Sequence, residues 1–317
     1  MIAASSLNAQ GSEMRVAVTG ANGFLGRNLQ VEFQKRLINY KPILRSACDL
    51  LSSSAISAAF DDCDVVVHLA ANVGGVKYLR DHAIAAFFDN YAMGLNVINA
   101  CIGRGVKKLL LVGTPCSYPD DSPLPLLERN MLTGLPSGDT GTYGLAKSAV
   151  SLAANKLCLG RDIDVVTLIP SNLYGPFDHF NDTSSHVVPA LLTKAMRTAP
   201  GAGFQVWGNG NATRDFVYVA DAARAIADAV TSDVAFHGAM MNIASGVETS
   251  ISHLADTISK VMANGIFPVY EADQPTGYSR RVLSIEAAGE LINYRPTVSL
   301  QAGLEATVHW LRETKIA

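Results

Sequence analysis

Tyr143 and Lys147 stand four residues apart in the segment TYGLAKSA. On a helix that spacing puts both side chains on one face. An ammonium beside a phenol favours the phenolate, so the pair predicts a tyrosine that exchanges a proton with a carbonyl oxygen near neutral pH. The pattern is short, and any helix with a tyrosine and a lysine can carry it. Its meaning comes from what accompanies it. In VGTPCSYP, Thr114 offers a hydroxyl to hold that oxygen, and Cys116 places a thiol two residues further on. Read alone, Cys116 is equally a small buried hydrophobe.

These groups need a frame. The chain supplies short apolar runs that alternate with helical patterns through its first half: MRVAVTG (14–20), KPILR (41–45), DVVVHLA (64–70), KKLLLVG (107–113) and DVVTLIP (164–170), with helices expected over 23–37, 83–105 and 143–160. Strands alternating with helices predict a parallel sheet covered on both faces. Gly20, Gly23 and Gly26 in VTGANGFLGRNL follow the first strand and open the first helix. Glycine there lets the backbone turn tightly against a pyrophosphate resting on the helix N-terminus. Asn22, Phe24 and Leu25 complete that cofactor-binding turn. The second strand ends in ILRSA, and Arg45 occupies the place where an acidic residue would hold a ribose 2′-hydroxyl. A cation suits a 2′-phosphate, so NADP is expected rather than NAD, with Asp49 facing the adenine. In HLAANVGG, Leu69, Ala70 and Ala71 leave room at the sheet edge for the cofactor, and His68 reads as a packed strand residue. After Pro170 a loop leads to a helix, 215–230 returns to strand and helix, and the last third reads as helical.

The chain has 317 residues, 49% of them hydrophobic and 17% charged, with net charge −3. Disorder is excluded, and without a basic stripe nucleic acid is not expected as a partner. Five cysteines, Cys48, Cys63, Cys101, Cys116 and Cys158, show no CxxC pair and no cysteine–histidine cluster. No disulfide framework or metal is expected, and the location expected is cytoplasmic. Residues 1–13 read as a loose extension without a signal-peptide pattern, and no apolar run approaches a membrane span.

The glycine-rich turn, HLAA, the strand end at Thr114 and TYGLAK occur in the order and spacing of the extended short-chain dehydrogenase/reductase family, which this chain resembles. The resemblance implies a Rossmann-type doubly wound parallel sheet with a smaller, mostly helical C-terminal substrate domain. Residues 14–172 would bind NADP, with 215–245 returning to that domain, and 173–214 with 246–317 would bind the substrate. It implies Thr114, Tyr143 and Lys147 as catalytic, with Asn90 supporting the proton relay. It also implies a homodimer built through the helices at 83–105 and 143–160.

Five further segments, VGGV, PCSYP, PSNLYGPFDHF, SSHVVPALLTK and VWGNGNATRDFVYVAD, are similar to family members that epimerise and reduce a GDP-4-keto-6-deoxy-hexose. Cys116 and His186 would then move protons at the carbons flanking the keto group, and NADPH would reduce it. Lys147, Pro170, Asn172, Leu173 and His186 would touch the cofactor, and Asn172, Lys194, Trp207 and Arg214 the nucleotide sugar. The chain departs from the pattern in having Thr114 for serine, Gln274 for lysine and Ser284 for aspartate. A simple 4-keto reductase would not need both Cys116 and His186. A 4-epimerase would carry an acidic residue near 45, and a 4,6-dehydratase Asp-Glu after Thr114. A non-catalytic scaffold would have lost the tyrosine or the lysine.

Overall fold

The computed structural model describes residues 14–180, 185–274 and 277–314, so the extension expected over 1–13 lies outside the described residues. In chain order the strands are β1 Val16–Thr19, β2 Tyr40–Ile43, β3 Val65–His68, β4 Lys108–Val112, β5 Asp164–Pro170, β6 Asn172–Tyr174, β7 Gly203–Trp207, β8 Thr213–Tyr218, β9 Ala239–Ile243, β10 Glu248–Ser250 and β11 Phe267–Glu271. The helices are α1 Phe24–Lys35, α2 Ser53–Ala59, α3 Val76–Asp81, α4 Ala83–Arg104, α5 Gly141–Leu157, α6 Val187–Arg197, α7 Val219–Thr231, α8 Ile251–Met262, α9 Glu286–Ile292 and α10 Leu300–Thr314.

Six strands form one parallel sheet in the order β2-β1-β3-β4-β5-β9. Strands β1 and β3 are buried along their whole length, as their valine-rich runs require of a sheet covered on both faces. Strand β2 lies at the edge, where Pro42 removes no ladder bond that a neighbour needs. The chain leaves β1 for β2 on one side and reaches β3 on the other. That switch point opens a crevice beyond the carboxyl ends of β1 and β3.

The two faces are covered by different helices. Leu29 and Phe33 of α1 pack with the alanine-rich face of α7 over Val16, Val18 and Val67. Val97 and Ile98 of α4 pack with Val150 and Ala154 of α5 over Ala17, Val66 and Leu109. Each such buried valine or leucine contributes roughly 1.5–3 kcal/mol. Helices α4 and α5 approach closely because Gly94 leaves room for Val150. Helix α4 ends at Gly105, whose φ of +66° forms a left-handed cap.

A third cluster joins Tyr174, Leu191, Phe204, Leu254, Ile258 and Leu304 under α6, α8 and α10. Besides these helices, the C-terminal half carries a three-stranded sheet β10-β8-β6, whose β8 matches the strand expected from 215, and a two-stranded parallel sheet β11-β7; β6, β7, β10 and β11 are strands that a mostly helical reading leaves out. Among the described residues no helix is long and apolar enough to cross a membrane, and no three metal-ligating side chains converge.

Candidate active site

The crevice deepens into a cavity of about 1340 Å³. Its floor begins at the glycine-rich turn. Gly20 has φ +68°, and a Cβ there would lie 2.6 Å from the Ala70 nitrogen. A Cβ on Gly26 would overlap the Gly20 carbonyl oxygen, so α1 can start hard against the turn only with glycine. Thr19 Oγ1 accepts the Ala70 N–H at 3.3 Å and hydrogen-bonds His68 Nδ1 at 2.8 Å, tying the ends of β1 and β3 together. His68 is a packed strand residue, as expected. Burial first, and the Lys147 charge second, hold its pKa down at about 3.

Gly20, Asn22, Gly23, Phe24, Leu25 and Gly26 line this end of the cavity, with Leu69, Ala70 and Ala71 opposite. Arg45 and Asp49, both exposed after β2, line it as well. So do Pro170, Asn172 and Leu173 from the β5–β6 junction. Asn172 Nδ2 donates to the Asp215 carbonyl at 3.0 Å, which fixes its side chain against β8.

Thr114, Cys116, Tyr143 and Lys147 line the middle. Helix α5 brings Tyr143 and Lys147 to the cavity together, both buried. A Cβ on Gly144 would overlap the Cys116 carbonyl oxygen, so this glycine lets the helix press on the Pro115–Ser117 turn. Ser117 Oγ donates to the Gly144 carbonyl at 2.8 Å, and the Cys116 N–H donates to Thr114 Oγ1 at 3.2 Å. Cys116 is thereby packed against Tyr143 and its neighbours. It is half-buried, whereas the other four cysteines are buried; all five are free thiols.

The expected lowering of the tyrosine pKa is not found. Burial, and secondarily Cys116, push the Tyr143 phenol up, while burial pulls Lys147 down to about 8. Loss of water outweighs any help from the lysine, and the phenol stays protonated at neutral pH. Asn90 is buried and bonds residue 72: its Nδ2 donates to the Asn72 carbonyl at 2.8 Å and its Oδ1 accepts the Asn72 N–H at 3.0 Å. It fastens α4 to the exit of β3.

His186 precedes α6, lines the cavity and is exposed. Desolvation by the surrounding cavity walls lowers its pKa, and the nearby His179 lowers it further. Asp178 lies on the same wall.

At the far end Arg214 lines the cavity with two residues that the sequence reading missed, Tyr278 and Arg281. Burial, and then the Arg281 charge, lower the Arg214 pKa. The doublet Arg280–Arg281 held a signal, but sequence alone does not say which arginine turns inward. Arg280 pairs with Glu248 at the surface at 2.7 and 2.8 Å, and Arg281 is buried. Lys194 and Trp207 are not among the residues lining the cavity; they face one another, the ammonium 5.1 Å from the ring centroid. Gln274 and Ser284 do not line it either.

The model of the NAD dependent epimerase/dehydratase family matches residues 16–244. The GDP-L-fucose synthase of Escherichia coli is 32% identical over 96% of this chain and 98% of its own length. The GDP-L-colitose synthase of Yersinia pseudotuberculosis is 28% identical over 95% and 99%. A GDP-L-fucose synthetase of Naegleria fowleri, solved bound to NADP, is 26% identical with a TM-score of 0.84, covering 95% of each chain.

Proposed function

This chain belongs to the NAD dependent epimerase/dehydratase family, and we propose that it is an NADPH-dependent epimerase/reductase that converts GDP-4-keto-6-deoxy-D-mannose to GDP-L-fucose. The observation that carries this reading is the convergence of Cys116, Tyr143, Lys147 and His186 in one cavity that starts at the glycine-rich turn. The similarity to the Escherichia coli enzyme over nearly both full lengths supports it.

The cradle fits a dinucleotide because Gly20 and Gly26 remove the side chains that would fill it. The α1 N-terminus then receives the pyrophosphate, and exposed Arg45 the 2′-phosphate. NADPH supplies a hydride to C4 when bound. The 4-keto group acidifies the C3 and C5 hydrogens. In the epimerisation one of Cys116 and His186 takes such a hydrogen, the electron pair moves onto the keto oxygen, and the other returns a proton to the opposite face. Thr114 Oγ1 already accepts the Cys116 N–H, which leaves its own hydrogen for the keto oxygen. Tyr143, held protonated by burial, donates its proton to that oxygen as C4 is reduced. Lys147, on the same helix face, supplies positive charge to the tyrosinate left behind. Arg214 and Arg281 form the basic end suited to a diphosphate, and we extend the nucleotide-sugar contacts to Asn172, which lines the cavity, and to the Lys194–Trp207 pair beyond its lining.

Residues 14–172 with 215–245 form the cofactor part in this reading, supported by the packing of α7 on α1 and the pairing of β9 with β5. Residues 173–214 and 246–317 form the substrate part, and the protein acts in the cytoplasm as a homodimer.

A 4-keto reductase without epimerisation would not use the Cys116 thiol. The test follows absorbance at 340 nm with GDP-4-keto-6-deoxy-D-mannose. NADPH should be oxidised, NADH much more slowly, and Tyr143→Phe should lower turnover by about 10²- to 10⁴-fold. A wild-type enzyme that leaves NADPH untouched contradicts the proposal.

A further inference from the structure

Arg281 does more than add charge near the diphosphate end. Its Nη1 donates to the Pro115 carbonyl at 2.6 Å, its Nη2 lies 3.5 Å from Asp120 Oδ1, and its guanidinium stacks 3.8 Å from the centre of the Tyr278 ring. Pro115 is the residue before Cys116, so the bond holds the thiol's turn from outside, as Thr114 and Ser117 hold it from within. Two strand-like contacts anchor the arginine's own segment: the Arg281 N–H donates to the Thr213 carbonyl, beside Arg214, and the Leu126 N–H to the Val282 carbonyl. The Tyr278 hydroxyl donates to the Ser137 carbonyl at 3.3 Å, and Ser137 Oγ donates to Asp120. One connected set of bonds thus runs from the basic end of the cavity to the backbone of the turn that carries Cys116. Arg214, whose Nη1 donates to the Thr213 carbonyl, is not bonded to Pro115.

Resting on the epimerase/reductase reading, we propose that Arg281 is a positioning residue for Cys116, which sets the thiol at the distance from the diphosphate anchor that epimerisation requires. The planar fork of arginine is needed, since it bonds Pro115 and Asp120 together; a lysine keeps the charge but not the fork. Epimerisation depends on this bond, and hydride transfer, organised by Tyr143 on α5, depends on it much less.

The test compares wild type with Arg281→Lys and Arg214→Lys. Iodoacetamide alkylation of Cys116 is followed by mass spectrometry across pH, the four buried cysteines serving as internal controls. Arg281→Lys should alkylate severalfold faster than wild type because the turn is released, while Arg214→Lys keeps the wild-type profile. With the keto sugar in deuterated water, Arg281→Lys should lose about 10- to 100-fold in labelling at C3 and C5 relative to NADPH oxidation. Asp120→Asn, at an exposed site, should move alkylation in the same direction and by less. Alkylation of Arg281→Lys at the wild-type rate overturns the proposal, as does an equal change in both arginine variants. A wild-type enzyme that does not oxidise NADPH contradicts the substrate reading instead, and the alkylation comparison still decides the role of Arg281.

Discussion

Asp178 is 7% exposed on the cavity wall. One carboxylate oxygen accepts the His179 N–H at 2.7 Å, and the other is buried without a hydrogen-bond partner among the described residues. Burial raises its pKa to about 7. The folded state therefore holds a proton that the unfolded state releases near pH 4, so stability falls as pH rises from about 4 to about 7 and then levels off. Asp178→Asn removes that dependence. Its melting temperature relative to wild type should climb through this window, by an amount on the order of a few kcal/mol in stability. A constant difference from pH 4 to 8 would contradict the raised pKa. The burial that raises Asp178 also keeps Tyr143 protonated. Sequence named Tyr143, Lys147, Thr114 and Cys116 because the short motifs that carry the family resemblance are local in the chain. It did not name Asp178 or Arg281, whose roles depend on which side chain turns inward after a loop.

Helix α5 and the Pro115–Ser117 turn work as one unit because Gly144 lets them touch. In Gly144→Ala the new methyl meets the Cys116 carbonyl, which cannot give way cheaply while Ser117 bonds Gly144. Destabilisation of about 1–3 kcal/mol is expected in denaturant titration, with a larger loss of turnover as Tyr143 and Cys116 shift apart. Unchanged stability would contradict this packing. Five of the six strands of the main sheet and its long helices were legible, since buried apolar runs and 3.6-residue spacing are distinctive, whereas β9, with the sequence AMMNI, carries no such run of β-branched residues and was not named. The three-residue strands β6 and β10 were not, because so few residues carry no period. Strand β7 alternates exposed and buried residues, a readable period of two that the reading of the stretch between Pro170 and 215 as loop and helix passed over.

Across the whole molecule, Ile84 and Phe88 lie one turn apart on α4, 77% and 64% exposed, and Leu145 is exposed on the neighbouring α5. Large apolar side chains left in solvent on adjacent helices support a homodimer built there. In the proposed homodimer, Phe88→Glu should yield a monomer in sedimentation velocity; a wild-type protein that sediments as a monomer at micromolar concentration would contradict this assembly.

In the proposed mechanism one cavity performs epimerisation and reduction with separable residues. The direct measurement incubates the enzyme with GDP-4-keto-6-deoxy-D-mannose and NADPH in deuterated water and examines the product for deuterium. Label at both C3 and C5 is predicted, and Cys116→Ser should abolish it. Oxidation of NADPH with no label at either carbon would contradict the claim and leave a simple reductase.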